Sequence, residues 1–328
     1  MKEAQYYKKK SDDRVHCFLC PQNCLITEGK KGLCKARINH DGILYSENYA
    51  KISAIAIDPI EKKPLYHFYP GEEILSIGSF GCNLGCSYCQ NWQISQHKPQ
   101  LKELSVEDLI DIALIKGSMG VAYTYSEPSI CYEYLIDAFP AAHNKNLKNI
   151  MVTNGYINKQ ALKDLIPYLD ALNIDLKSFS NEFYREKCNG SIKPVLENIK
   201  YLYKNKVHIE ITTLIIRDEN DSLDELEQLF QWLSKLSRDI PLHLSRYFPN
   251  YKMKRPATDL EKMKEAYSLA KKYMNYVYLG NVNIADVQST YCPDCGKLLI
   301  NRDAYFVEDL SEKGQCQCAY QIAGEFRT

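Results

Sequence analysis

Between residues 74 and 273, apolar strand-like runs alternate with helix-like segments, and nothing else in the chain constrains its fold as strongly. Strands read at 74–78, 121–124, 150–152, 171–176, 207–216 and 241–247. Helices read from 105 onward and at 129–143, 158–166, 192–204, 222–236 and 258–273. Ser105 with Glu107 and Asp108 supplies a capped, acidic first turn for the first of them. Strand–helix alternation implies a parallel sheet with crossover helices. Six repeats are too few to close an eight-stranded barrel, so an α/β fold with a partial (β/α)6 barrel is expected. Its ligands would gather at the carboxyl ends of the strands, where the loops lie.

The loop after the first strand carries Cys82, Cys86 and Cys89, spaced C-x3-C-x2-C. Three thiolates on one short loop can hold three irons of a [4Fe–4S] cubane. With no fourth cysteine nearby in sequence, one iron keeps an open site. The competing reading, a zinc knuckle, fits poorly, because zinc sites pair two-cysteine knuckles. The loop resembles that of the radical S-adenosylmethionine (SAM) superfamily, whose fold is a partial (β/α)6 barrel. The resemblance implies that the open iron binds the amino and carboxylate groups of SAM. An electron from the cluster would then cleave the sulfonium and release a 5′-deoxyadenosyl radical.

The chain has 13 cysteines and no signal-peptide apolar region, which points to a cytoplasmic protein that binds metals rather than forming disulfides. Cys17, Cys20, Cys24 and Cys34 form an early group in a segment too short to build its own core. Zinc fits them and is the expectation, with a second cluster left open. Cys292, Cys295, Cys316 and Cys318 form a late group that reads as a zinc ribbon, although Cys316 and Cys318 are separated by one residue where two are usual. Cys131 and Cys188 stand alone and receive no role. Three units follow: 1–70, a Cys-rich segment with short strands; 71–285, the partial barrel; and 286–328, the zinc-ribbon-like end. Residues 1–13 read as a polar, frayed tail, and His67, between prolines, as a hydrogen-bonded structural histidine. The 41 basic and 41 acidic residues cancel, so no field argues for nucleic acid or a membrane as partner. No apolar run approaches transmembrane length.

The strand ends supply the remaining candidates. Glu127 follows the second strand and Asn154 the third. Alternation puts Asn173, Asp175 and Lys177 on one face of the fourth strand, His208, Glu210 and Thr212 on one face of the fifth, and His243, Ser245 and Tyr247 on one face of the sixth. A charged row inside a barrel is costly unless paired or bound to a ligand. By resemblance to activating enzymes of the superfamily, Glu127 would hold the SAM amino group, although Tyr125-Ser126 replaces the usual pair of glycines. Asp175 and Lys177 would serve the SAM site. His208, Glu210, Thr212, His243, Ser245 and Tyr247 are SAM or substrate candidates by position. No residue is assigned to hydrogen abstraction itself.

Several features together resemble the AmmeMemoRadiSam-system radical SAM proteins, relatives of pyruvate formate-lyase activating enzymes. They are the early cysteines, the 58–71 loop, Cys89-Gln90-Asn91-Trp92, Tyr125-Ser126-Glu127-Pro128 and Cys292-Pro293-Asp294-Cys295-Gly296. The resemblance implies an anaerobic radical enzyme served by an electron donor such as flavodoxin or ferredoxin, in the company of Memo-like and AMMECR1-like proteins. Its substrate would be a glycine of a partner protein, to be made a glycyl radical, or else a small molecule or peptide. A non-catalytic metalloprotein scaffold is the reading from another class.

Overall fold

The computed structural model describes residues 1–303, 306–311 and 313–327. Its centre is an eight-stranded sheet. The strands, in chain order, are β1 (Ala54–Pro59), β2 (Glu73–Gly78), β3 (Gly120–Tyr123), β4 (Lys148–Thr153), β5 (Ala171–Asp175), β6 (His208–Ile215), β7 (Leu242–Arg246) and β8 (Val277–Gly280). They also lie side by side in that order. β2 to β8 are parallel, and β1 runs antiparallel to β2. The crossover helices are α1 (Val106–Ile115), α2 (Tyr132–His143), α3 (Lys159–Leu165), α4 (Ile192–Lys204), α5 (Leu223–Leu236) and α6 (Leu260–Ala270).

The six expected repeats are present, and two further strands flank them. β8 escaped the alternation because no helix follows it. β1 escaped as a separate barrel strand because Asp58 and Pro59 end it at a sheet edge, where a proline is tolerated. Strands buried on both faces carry near-continuous apolar runs, as Ile74 to Ile77 do in β2. The helices are one-sided. In α5, Leu226, Leu229, Phe230 and Leu233 form a stripe toward the sheet. The Ser105 cap forms as its sequence suggests, its hydroxyl accepting the Asp108 N–H at 3.0 Å.

The amino-terminal segment is ordered, which corrects the expectation of a frayed tail. Lys2–Glu3 pairs with Ile43–Ser46, and Tyr7–Lys9 pairs with Val15–Cys17. Ala4 is buried, and the Gln5 N–H donates to Glu133 of α2 at 2.8 Å. The carboxyl-terminal unit is a three-stranded antiparallel sheet of Thr290–Tyr291, Leu298–Asp303 and Phe306–Asp309. It shares a small apolar core with Tyr66, Tyr276 and Tyr278. With the 58–71 loop it caps the amino-terminal end of the barrel, where Glu325 donates its N–H to the His67 carbonyl at 2.8 Å. The opposite end stays open. Among the described residues no helix is long and apolar enough to cross a membrane.

Candidate active site

A cavity of about 390 Å³ opens at the carboxyl ends of the barrel strands. Cys82, Cys86 and Cys89 all line it. The loop that carries them leaves β2 through Gly81, whose φ is +87° and where an added Cβ would fall 2.4 Å from the Cys34 carbonyl. Only glycine satisfies both conditions. Cys82 Sγ accepts the Leu84 N–H at 3.4 Å and the Asn154 side-chain amide at 3.6 Å, and Cys89 Sγ lies 3.2 Å from Ser95 Oγ. Such bonds orient metal ligands and tune the bound metal.

The three sulfurs fit a cluster better than a lone ion. Among the described residues, only one set of potential ligands has three or more atoms all within 4.8 Å of one another, and it lies elsewhere, at the carboxyl terminus. As free thiols, Cys82 and Cys86 would stay protonated: burial holds the first well above its ordinary range, and a hydrogen bond with Cys188 plus burial does so for the second. Binding iron would displace those protons.

Glu127, Asn154, Asp175, Lys177 and Thr212 line the same cavity. The Glu127 carboxylate is buried and accepts three bonds: from the Ser129 N–H at 3.0 Å, Thr153 Oγ1 at 2.7 Å and the Asn154 N–H at 2.8 Å. Burial raises its pKa and these donors partly offset the rise. Tyr125 adopts φ +65°, the left-handed conformation that a glycine would take, so the turn forms without the usual glycine pair. Its hydroxyl donates to Asp58 at 2.9 Å. Lys177 pairs with Asp175 at 3.1 Å; burial opposes its charge, and the Asp175 carboxylate favours it, with the net direction upward. Thr212 donates to Asn173 at 2.9 Å.

His208, Glu210 and His243 do not line this cavity. They share the inner face expected of them, but deeper, toward the capped end. Glu210 is completely buried and bonds His243 Nε2 at 2.6 Å, His208 Nε2 at 3.1 Å and the His67 N–H at 2.7 Å. Burial raises its pKa, yet the two imidazoles pull it well below the carboxylate range. His67 bonds the Ala323 carbonyl at 2.7 Å and the Tyr278 hydroxyl at 2.5 Å, a structural histidine as its prolines suggested. The network ties the barrel to its carboxyl-terminal cap. Alternation assigns a side chain to a face and says nothing of its depth.

Three contributors lacked a sequence signal. Asn83 accepts the Asn154 side-chain amide at 2.8 Å and donates its own to the Tyr156 carbonyl at 2.6 Å. Cys188 lies 3.3 Å from the Tyr88 hydroxyl and bonds Cys86. Pro64, in the proline-rich loop, forms part of the cavity wall.

The two outer cysteine groups differ in geometry. Cys292 and Cys318 lie 3.6 Å apart and Cys295 and Cys316 3.5 Å apart, all four within 4.8 Å. Tetrahedral zinc with 2.3 Å arms sets its sulfurs about 3.8 Å apart, so this group fits one zinc ion. The tight Cys316–Cys318 spacing is accommodated by a turn in which the Ala319 N–H bonds the Cys316 carbonyl at 2.8 Å. Cys17, Cys20, Cys24 and Cys34 line a small cavity of their own without reaching that spacing.

Comparison with known proteins agrees with this geometry. Residues 76–233 match the family described as the Radical SAM superfamily. The chain is 42% identical over 308 residues to "Uncharacterized protein MJ0808" of Methanocaldococcus jannaschii, covering 92% of each. It is 26% identical over 200 residues to GTP 3′,8-cyclase of Helicobacter pylori, covering 58% of this chain and 60% of that one. It is 24% identical over 219 residues to the 4-hydroxyphenylacetate decarboxylase activating enzyme of Clostridium scatologenes, covering 63% and 62%.

Proposed function

This chain belongs to the radical SAM superfamily and is an enzyme of it, and from that premise we propose how its own residues serve SAM cleavage and hydrogen abstraction. Cys82, Cys86 and Cys89 would hold the [4Fe–4S] cluster. When bound, the cluster supplies one electron to the sulfonium of SAM, yielding methionine and a 5′-deoxyadenosyl radical. Glu127 offers a charge-assisted acceptor to the SAM ammonium. Lys177, beside Cys86, faces the same cavity with a positive charge suited to a carboxylate. Asn154 holds the end of β4 against the cluster loop through Asn83. The convergence of three cysteines, Glu127 and Lys177 on one cavity carries this reading.

For the substrate we put first a glycine of a partner protein. The name of the Clostridium relative, an activating enzyme of a decarboxylase, favours a protein as the substrate, and the exposed, polar rim of Lys62, Gln90, Asn91 and Asn281 can admit a chain segment. The name of the Helicobacter relative favours a small molecule. Memo-like and AMMECR1-like proteins are the partners to try, on the AmmeMemoRadiSam resemblance. The test is anaerobic reconstitution with iron, sulfide, SAM and dithionite. We expect 5′-deoxyadenosine from the native chain and none from Cys86→Ala. No product from a chain with full iron content would refute the reading. A glycine-centred radical on an added partner would select the protein substrate, and its absence with a consumed small molecule would select the other.

A further inference from the structure

We propose that Cys17, Cys20, Cys24 and Cys34 hold a second [4Fe–4S] cluster, seated to pass single electrons to the one at Cys82, Cys86 and Cys89; the relay rests on the function proposed above, the cluster itself does not. This replaces the zinc expected from sequence.

The four cysteines line one small space, which Arg37 and Asn83 also line. The chain is pinned around it: the Cys17 N–H bonds the Cys24 carbonyl at 2.9 Å, and the Gly32 N–H bonds the Arg37 carbonyl at 2.9 Å. No three of these sulfurs come within 4.8 Å of one another, whereas the carboxyl-terminal four do. The same chain thus shows a set of cysteines at single-ion spacing and a set held wider. A cubane places each thiolate on a different iron and so spreads the sulfurs.

Gly32 keeps the space between them open. A Cβ there would lie 3.7 Å from Cys24 Sγ, 3.8 Å from Cys34 Sγ and 3.2 Å from the Ile26 Cδ1. Its φ is not in the left-handed region, so room and not backbone conformation calls for glycine. Charge points the same way. Arg37 is fully buried and paired with the equally buried Glu133. One of its terminal nitrogens lies 4.0 Å from Cys17 Sγ, and its Nε has no partner among the protein atoms. A buried, unpartnered donor is costly. A thiolate or sulfide of an anionic cluster would accept it.

Position gives the cluster its task. The Cys34 carbonyl packs directly against Gly81, the residue before Cys82. Asn83, the residue after Cys82, forms part of the wall of the outer space, and its carbonyl accepts Gln22 Nε2 at 2.9 Å. One packed layer therefore separates the two sites. A low-potential one-electron protein carrier would reduce the outer cluster by one electron. The outer cluster would return to its oxidised state by reducing the central one, with no bond made or broken and no proton moved.

The test uses the full chain with Cys82→Ser, Cys86→Ser and Cys89→Ser combined, which leaves the outer site intact. It is reconstituted anaerobically with ferrous iron, sulfide and zinc. About four irons and four labile sulfides should remain, with the paramagnetic signal of a reduced cluster. Zinc in their place, or no metal beyond that of the carboxyl-terminal four, would overturn the cluster. The relay is read in Cys20→Ala carrying a full central cluster. Formation of 5′-deoxyadenosine driven by reduced ferredoxin should be largely lost, while that driven by dithionite persists. Equal rates with ferredoxin for this variant and the native chain would overturn the relay.

Discussion

Glu127 Oε2 accepts the backbone N–H of Asn154 at 2.8 Å, so the turn after β3 fixes the end of β4. Asn154 in turn reaches Asn83 and Cys82 with its side-chain amide. A carboxylate offers about four acceptor positions. Three are occupied within the chain, which leaves about one, on Oε2, for a ligand. The residue we propose to meet SAM therefore also holds the cluster loop in register.

Glu127→Gln should damage both roles. Whichever way the new amide turns, its NH2 faces a buried backbone N–H, that of Asn154 or that of Ser129, and leaving such a donor unpaired costs about 1–3 kcal/mol. Losing the charge-assisted bond should weaken SAM binding roughly tenfold or more. Thermal unfolding of the cluster-free protein reads the first effect and equilibrium binding to the reconstituted protein the second. Native SAM affinity would remove Glu127 from the SAM site.

Acid should weaken the capped end of the barrel before the open end. Burial lowers the His67 pKa from 6.5 to about 4, with Glu210 opposing it and Arg302 and His208 adding to it. Between those values the unfolded chain takes up a proton that the folded chain refuses, so stability falls as pH drops from 6.5 toward 4. The gap corresponds to on the order of 3 kcal/mol. Glu210, depressed when folded, acts in the same direction but only as pH falls through its ordinary range near 4.5 and below. Unfolding midpoints of the cluster-free chain, followed from pH 7 to 4.5, should therefore fall less in His67→Gln than in the native sequence. Parallel curves would count against a neutral His67 in the fold.

What was legible in the sequence was local or periodic. The cysteine loop, the Ser105 cap and the six alternations each rest on residues a few positions apart. The edge strand β1 and the last strand β8 lack the flanking pattern that marks the others. The first residues, with Lys8, Lys9 and Lys10, look solvated, yet Ala4 is buried and the backbone of Gln5 reaches α2. Nothing local to that segment announces a partner more than a hundred positions away. Glu210 and Thr212 are two positions apart on one face, and one step along the strand separates a structural network from a cavity wall. The space between two sulfurs is equally invisible in sequence, so the spacing of Cys17 to Cys34 could not choose a metal.

The carboxyl-terminal four cysteines should carry one zinc, and its removal should loosen the cap without emptying the central site. Cys292 and Cys316 belong to the small core with Tyr276, Tyr278 and Phe326. Cys295→Ser should lose zinc and become sensitive to protease between residues 290 and 327, while iron bound through Cys82, Cys86 and Cys89 stays. Metal analysis and limited proteolysis check this. Full zinc retention in the variant would mean the ion sits elsewhere.

Gly81→Ala should separate the two halves of the iron chemistry at their point of contact. At φ +87° any L side chain is strained, by at least about 1 kcal/mol. Its Cβ would also fall 2.4 Å from the Cys34 carbonyl, where backbone must shift. Gly117→Ala is the control: its φ is +63°, and nothing lies within 4 Å of the added atom. The control should lose only the conformational part, about 1 kcal/mol. Gly81→Ala should lose several times more, and it should bind less iron after anaerobic reconstitution, because the loop can no longer seat Cys82 against the amino-terminal unit. Unfolding curves and iron counts on the two variants side by side read both effects. Equal losses would show that the contact between Cys34 and Gly81 holds nothing in place.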